Sequence, residues 1–432
     1  MIAKNLTVNK TSHLCFAGQD VVVLTQKYGT PLYLLDEDTI RERCRTYKAA
    51  MHAAFGEAAL PLYAGKALCV KDIYRIMREE GMGIDVVSSG EVYTAAAGGF
   101  PMERAYFHGN NKTDADIAFA MEQGVGCFVC DSVEELDAID AAAAVRGITQ
   151  RILLRLTPGI DPHTHRAIST GNVDSKFGAA IETGAAEALV RAALARKNIR
   201  LDGYHCHIGS QIFEITPFLD AARIMLGFTA RMRDALGFTA RELNLGGGLG
   251  VRYLAEHPAI DYADCIARIG EAVKALCEEH ALPMPAIRME PGRSIVADAG
   301  MTLYTVGTVK TIEGFKNYVS VDGGMTDNPR FALYGSPYTF MPVAAPDMSD
   351  TVSCSVVGRC CESGDILGEG ITLPSSIKRG DLLACLTTGA YHYSMSSNYN
   401  RIPKPPVVML EGGRDYLVIK RETPEDIMRL EV

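Results

Sequence analysis

From about residue 60 to residue 292, short β-rich apolar runs alternate with segments whose apolar residues recur at three- and four-residue spacing. That alternation predicts parallel strands joined by crossover helices. Eight strands are expected: Leu62 to Ala67, Ile84 to Ser88, Arg104 to Gly109, Cys127 to Asp131, Arg151 to Pro158, Leu201 to Gly209, Glu242 to Gly248 and Ala286 to Gly292. Between them lie helical stretches such as Lys71 to Glu80, Ser132 to Val145 and Tyr262 to His280. Eight such units predict a (β/α)8 TIM barrel, with a doubly wound sheet as the alternative. After about residue 300 the texture changes to Val-, Thr- and Tyr-rich runs, including Thr302 to Thr311, Tyr318 to Val321, Thr351 to Arg359 and Val407 to Leu410. Gly and Pro punctuate them at short intervals, which predicts a C-terminal antiparallel β-domain, sandwich or small barrel. Val21 to Leu24 and Pro31 to Leu35 also read as strands and are expected to join that sheet. The expected domains are therefore a barrel over 36–299 and a β-domain over 1–35 and 300–432.

The barrel expectation locates chemistry, because active sites of this fold gather at the C-terminal ends of the strands. Those ends carry Lys66, Asp85 with Ser88, His108, Asp131, Arg155, His205 with His207, Gly246 to Gly248, and Glu290 with Arg293. The long connection Gly159 to Gly178, with His163, His165, Lys176 and Phe177, is expected to be a lid over the barrel mouth.

In the seventh unit a short strand runs into four glycines among residues 246–250. Glycine reaches positive φ cheaply, so successive amides there can converge on phosphate oxygens; a tight strand-to-helix turn explains the run equally well. An amine leaving the end of Leu62-Tyr63-Ala64-Gly65 into a desolvated mouth is a Schiff-base nucleophile, or else a snorkelling lysine. Together, Lys66 and a phosphate cradle suggest pyridoxal phosphate, and Glu290 then suits its pyridine nitrogen. His207 suits the ring face.

Composition narrows the partner. The 432 residues carry a formal net charge of −9 with both signs interspersed, which argues against nucleic acid and anionic membranes and for a small polar substrate. No apolar run approaches the roughly 20 residues of a membrane span, and Met1 to Lys10 has no signal-peptide core, so a soluble cytoplasmic protein is expected. The 12 cysteines lack paired ligand spacing, so reduced thiols and no metal are expected.

Seven motifs carry a resemblance: Tyr106 to Lys112, Asp174 to Gly178, His205 to Gln211, Leu243 to Gly250, Glu290 to Arg293, Cys361 to Asp365, and Gly389 to Tyr391 followed by Ser394 to Asn400. In this order, and across nearly the whole chain, they resemble the diaminopimelate decarboxylase family. The segment Thr326 to Tyr334 lacks the family's usual Arg-Pro pair but keeps Arg330 and Tyr334 four residues apart. The resemblance implies a pyridoxal-phosphate-dependent decarboxylase with an alanine-racemase-like barrel, acting as a homodimer with shared active sites. It implies that Lys66 forms the Schiff base and His207 covers the ring. Ser210, Gly247, Gly248, Glu290, Gly292, Arg293 and Tyr391 would hold phosphate and pyridine nitrogen. Arg293, Arg330, Tyr334 and Tyr391 would bind the substrate, with Glu362 on its distal ammonium, and Cys361 of the partner chain would be the proton donor. Cys360 is expected to be a buried neighbour on the opposite face of the same strand. The substrate implied is meso-2,6-diaminopimelate, giving L-lysine and carbon dioxide, the last step of lysine biosynthesis. The alternatives are another basic amino acid, carboxynorspermidine, or a non-catalytic cofactor-binding homologue.

Overall fold

The computed structural model describes residues 3–160, 175–344 and 348–432, so His163, His165 and Asp174 lie outside the described residues. The chain divides into two compact units. One comprises Arg43–Gly250 and Ile260–Gly292; the other comprises Met1–Glu42, Val251–Ala259 and Arg293–Val432.

The first unit is a closed parallel barrel. Its strands are β1 (Leu60–Ala64), β2 (Gly83–Val86), β3 (Ala105–Phe107), β4 (Cys127–Cys130), β5 (Gln150–Thr157), β6 (Ile199–His205), β7 (Glu242–Asn244) and β8 (Ala286–Met289). Each pairs in parallel with the next, and β8 pairs with β1 through Arg288 opposite Leu60, which closes the ring. Barrel strands bury both faces, and accordingly Gly83–Val86 and Cys127–Cys130 are buried at every position. The interior is filled rather than hollow. Leu62, Tyr106, Cys127, Val129 and Leu153 pack together, and beside them the Tyr106 hydroxyl donates to Glu242 at 2.8 Å while Arg288 pairs with the same carboxylate at 2.8 Å. β6 bends at Gly203, where a Cβ would lie 1.8 Å from the Glu242 carbonyl oxygen.

The helices begin where polar side chains satisfy their first amides. Ser88 caps Ser89–Ala97, Thr113 forms a reciprocal capping box on Asp114–Glu122, and Ser132 caps Val133–Arg146. Ser88 is therefore spent on a helix terminus and not on chemistry. Among the described residues no helix is long and apolar enough to cross a membrane.

The second unit is built on the long strand Gly300–Ile312. It pairs antiparallel with Leu32–Asp36, Lys316–Val321 and Leu382–Leu386. The early strand thus enters the C-terminal sheet. Two pairings depart from the expected antiparallel order: Val407–Glu411 runs parallel to Leu32–Asp36, and Thr351–Val357 runs parallel to Lys316–Val321. Val21 to Leu24 is not a strand either. Asp20 accepts the Val22 amide at 2.8 Å, and Val21, Leu24 and Thr25 bury one face of the helix Val21–Tyr28. A capping aspartate and a one-sided apolar face outweigh the β preference of three consecutive valines.

Candidate active site

Lys66 sits in a single 3-10 turn, Gly65–Ala67, directly after β1, exposed between two buried neighbours. Gly65 is required there: a Cβ would meet Tyr74 Oη at 2.6 Å and the Asp85 carbonyl oxygen at 2.8 Å. Two carboxyls on the following unit feel the lysine's charge. Burial drives Asp85 above its ordinary range and Glu91 up to about 7, with Lys66 opposing both shifts. Glu91 also accepts the Val87 amide at 2.7 Å, and Asp85 Oδ1 is buried with no hydrogen-bond partner among the described residues.

Glu290, one residue beyond β8, is the centre of a buried polar cluster. Its Oε1 accepts from Asn244 Nδ2 at 2.7 Å and lies 2.9 Å from His108 Nε2, while Oε2 lies 3.1 Å from His205 Nε2. Burial opposes the charge, but the two imidazoles and their hydrogen bonds win and hold this carboxylate well below the usual range. Burial lowers His205 to about 4, so the ring is neutral, with its proton on Nε2 facing Glu290 and Nδ1 bare. These three side chains also place ligand atoms within 4.8 Å of one another, as a metal site does. Here, however, His205 Nε2 is already hydrogen-bonded to the carboxylate, and His108 Nε2 lies 2.9 Å from it in ion-pair contact.

The glycine turn packs against this cluster more tightly than an anion cradle alone requires. A Cβ on Gly247 would lie 2.0 Å from the Glu290 carbonyl oxygen, and one on Gly248 would lie 2.4 Å from that of Gly209. The Gly246 amide donates to Asn244 Oδ1 at 2.9 Å and the Gly247 amide to His207 Nδ1 at 3.3 Å. The amides of Gly246 and Gly247 thus orient side chains within the barrel, as the tight-turn reading of this run allows. The turn bearing Ser210 is bound to the same loop by the Ile212 amide on the Gly248 carbonyl and the Gly250 amide on the Ile212 carbonyl, both at 2.9 Å. Burial and the charges of Lys66 and Arg155 push His207 well below its ordinary value, so its ring is a neutral, polarisable face. Gly292 closes the cluster, since a Cβ there would lie 2.8 Å from Ala64 Cβ.

The second unit assembles the guanidinium groups. Arg293 and Arg330 are 6% and 5% exposed, and both lie over the ring of Tyr391, at 4.7 and 5.2 Å from its centroid. Tyr391 is held at a φ of 63°, a conformation uncommon for a tyrosine. Arg293 Nη1 donates to Tyr253 Oη at 2.7 Å, and Arg330 also lies over Tyr334 at 5.0 Å. The Nε of Arg330 is buried with no hydrogen-bond partner among the described residues. Burying guanidinium groups among tyrosines is costly unless an anion arrives to share the site. Cys361 and Glu362 lie elsewhere in this unit, both exposed, on the bend after Thr351–Val357. That bend corrects the expectation of a strand with Cys360 and Cys361 on opposite faces, although Cys360 is buried and Cys361 is not.

Residues 37–297 match the pyridoxal-dependent decarboxylase pyridoxal-binding domain. The chain is 45% identical over 424 residues to diaminopimelate decarboxylase of Bacillus subtilis strain 168, covering 98% of this chain and 96% of that protein. The chain belongs to the diaminopimelate decarboxylase family of pyridoxal-dependent decarboxylases. Among solved structures, the diaminopimelate decarboxylase of M. jannaschii in complex with L-lysine superposes with a TM-score of 0.91 at 32% identity, covering 99% of this chain and 98% of that one. The Helicobacter pylori enzyme complexed with L-lysine gives 0.86 at 32% identity, covering 95% and 99%. Membership makes pyridoxal 5′-phosphate the cofactor of this enzyme, and the chemistry of the cluster fits it: a carboxylate held in its anionic form at the end of β8, suited to a protonated pyridine nitrogen, beside a turn of glycines. His108, His205 and Asn244 are the residues to which sequence reasoning gave no task. All three lie at or just beyond strand ends, which was the available signal.

Proposed function

We propose that this enzyme decarboxylates one end of meso-2,6-diaminopimelate, releasing L-lysine and carbon dioxide in the cytoplasm as the last step of lysine biosynthesis. The observation that carries this reading is the pair of buried guanidinium groups stacked on Tyr391. A planar fork of donors matches a carboxylate and repels an ammonium, so Arg293 and Arg330 select a substrate whose far end is an amino-acid head. Tyr334 backs the Arg330 guanidinium, and Glu362 takes the distal ammonium.

At the reacting end, Lys66 would supply the amine that holds the cofactor's aldehyde, and its charge is felt by Asp85 and Glu91. His207 lies against the ring. Ser210, Gly247, Gly248, Gly292, Arg293 and Tyr391 would hold the phosphate end, and Glu290, hydrogen-bonded to Asn244 and His205 with His108 beside it, would face the pyridine nitrogen and favour its protonated form. Pyridoxal phosphate, when bound, supplies the sink for the electron pair left as carbon dioxide departs. Cys361 of a partner subunit then gives the proton at Sγ to the reacting carbon, so the working unit is a homodimer whose sites draw on both chains. On this reading 36–299 is the cofactor-binding domain and 1–35 with 300–432 the β-domain, whereas the compact units change over at Glu42 and Gly292 and give Val251–Ala259 to the second.

Arg330→Ala tests the substrate assignment. Removing one partner of a desolvated charge pair costs about 2 to 5 kcal/mol, so kcat/KM for meso-diaminopimelate falls roughly 30-fold or more while the cofactor's absorbance persists. Efficient turnover of lysine or ornithine by the unaltered enzyme, with little on diaminopimelate, contradicts the assignment.

A further inference from the structure

Two glycines of the second unit lie where nothing larger fits, and one carboxylate fills the space beside both. A Cβ on Gly324 would fall 2.7 Å from Asp365 Oδ2, and one on Gly358 would fall 2.3 Å from the same oxygen. Asp365 is 3% exposed. Its Oδ1 accepts the Met325 amide at 2.6 Å and its Oδ2 the Cys360 amide at 2.7 Å. Its own carbonyl accepts the Gly358 amide at 3.0 Å, and its amide donates to the Glu362 carbonyl at 3.1 Å.

The two segments so joined are already neighbours through the parallel pair Lys316–Val321 and Thr351–Val357, whose last register partners are Ser320 and Val357. Beyond that pair the ladder gives way to one amide, from Arg359 to the Gly323 carbonyl at 3.0 Å. The carboxylate takes over where the chain leaves the sheet in two directions. One branch passes through Cys360 to Cys361 and Glu362. The other passes through Met325 to Asp327, whose Oδ1 accepts the Gly324 amide at 2.9 Å and whose Oδ2 accepts the Tyr304 hydroxyl at 2.5 Å, and then enters the helix Arg330–Tyr334. Cys361 is held from a third side, its amide donating to Asn400 Oδ1 at 2.7 Å. Hydrogen bonds to an ionised acceptor are short and strong, so this charge fixes both branches more stiffly than a neutral turn.

We propose that Asp365 is a positioning residue that sets the Cys361–Glu362 bend and the Arg330 helix in one frame. It acts through its two backbone amides and touches neither substrate nor cofactor. The proposal rests on the reading of Cys361 as proton donor and Arg330 as carboxylate binder. It adds that the geometry of both depends on a single buried charge, which also explains why glycine stands at 324 and 358.

The test uses the full-length holoenzyme carrying Asp365→Asn, which keeps the shape of the side chain, removes its charge and sets a carboxamide N–H donor against one of the two backbone N–H donors. A shift of about 1 Å at a reacting group costs up to roughly 100-fold, so kcat/KM for meso-diaminopimelate is expected to fall about 10- to 100-fold with the cofactor spectrum unchanged. In a Cys361→Ala background the share of the cost that passes through Cys361 disappears, so the same substitution is expected to cost at least about threefold less than in the wild type, the remainder passing through Arg330. Independently of turnover, the rate at which iodoacetamide labels Cys361, followed by peptide mass spectrometry, is expected to change at least about threefold while Cys69 and Cys265 keep their rates. Unaltered kinetics and labelling, or full additivity with Cys361→Ala, overturn the proposal. Full activity of Cys361→Ala alone defeats the proton-donor reading, and Cys361 labelling in Asp365→Asn then decides the positioning role by itself. If Asp365→Asn does not fold, Gly324→Ala presses a methyl on the same carboxylate and enters the same cycle and labelling. Wild-type behaviour of that variant overturns the proposal.

Discussion

Replacing His205 with glutamine separates the hydrogen bond that this ring gives Glu290 from its ability to titrate. The ring is buried and neutral, lowered by burial to about 4 from an ordinary 6.5. Below pH 6.5 the unfolded chain therefore binds a proton at this position that the folded barrel refuses. The contribution of His205 to stability is complete above pH 6.5 and is lost as the pH falls toward 4. Each pH unit in that window removes about 1.4 kcal/mol, so between pH 8 and pH 5 this residue alone removes about 2 kcal/mol. Glu91 and Asp327, both raised to about 7 by burial, act with the opposite sign and mask the effect in the unaltered protein. The difference between wild type and His205→Gln cancels them, and the amide keeps an N–H for Glu290. Urea unfolding at pH 8, 6.5 and 5 should show the wild type losing about 2 kcal/mol relative to the variant at the lowest pH. A difference constant to within about 0.5 kcal/mol across that range would refute the assignment of His205 as a neutral donor.

Borohydride reduction of the holoenzyme followed by peptide mapping should place the pyridoxyl group on Lys66; a label on Lys71, Lys112 or Lys176 overturns that assignment. Lys112 is an unsuitable alternative, since its ammonium is buried against Glu135 at 2.7 Å and the Val129 carbonyl at 2.8 Å. Mixing inactive Lys66→Ala and Cys361→Ala subunits should restore up to about a quarter of wild-type activity through random pairing across a two-fold interface, and continued inactivity after verified exchange contradicts the shared site.

The barrel was legible because β/α alternation survives in the hydrophobic pattern, and the strand-end rule pointed at Lys66, His207, the glycine turn and Glu290. What escaped is set by long-range closure. The donors that fix Glu290 stand 46 residues away at Asn244 and 85 away at His205, and only a closed ring of strands brings them together. The helix at Val21–Tyr28 was misread because its β-branched residues look like a strand, while the deciding signal, Asp20 as cap, is a single residue. In the second unit the strands were visible but not their partners, so the parallel pairings and the bend at Cys360 and Cys361 could not be read from local pattern. Arg293 and Arg330 were expected at one carboxylate; their common stacking on Tyr391 was not.

Incubating the purified holoenzyme with meso-diaminopimelate and resolving the products tests the central claim most directly. The expected result is stoichiometric carbon dioxide and lysine of L configuration only, with ornithine, arginine and lysine left unconsumed under the same conditions. Absence of lysine from diaminopimelate, or preferential consumption of one of those diamino acids, contradicts the account.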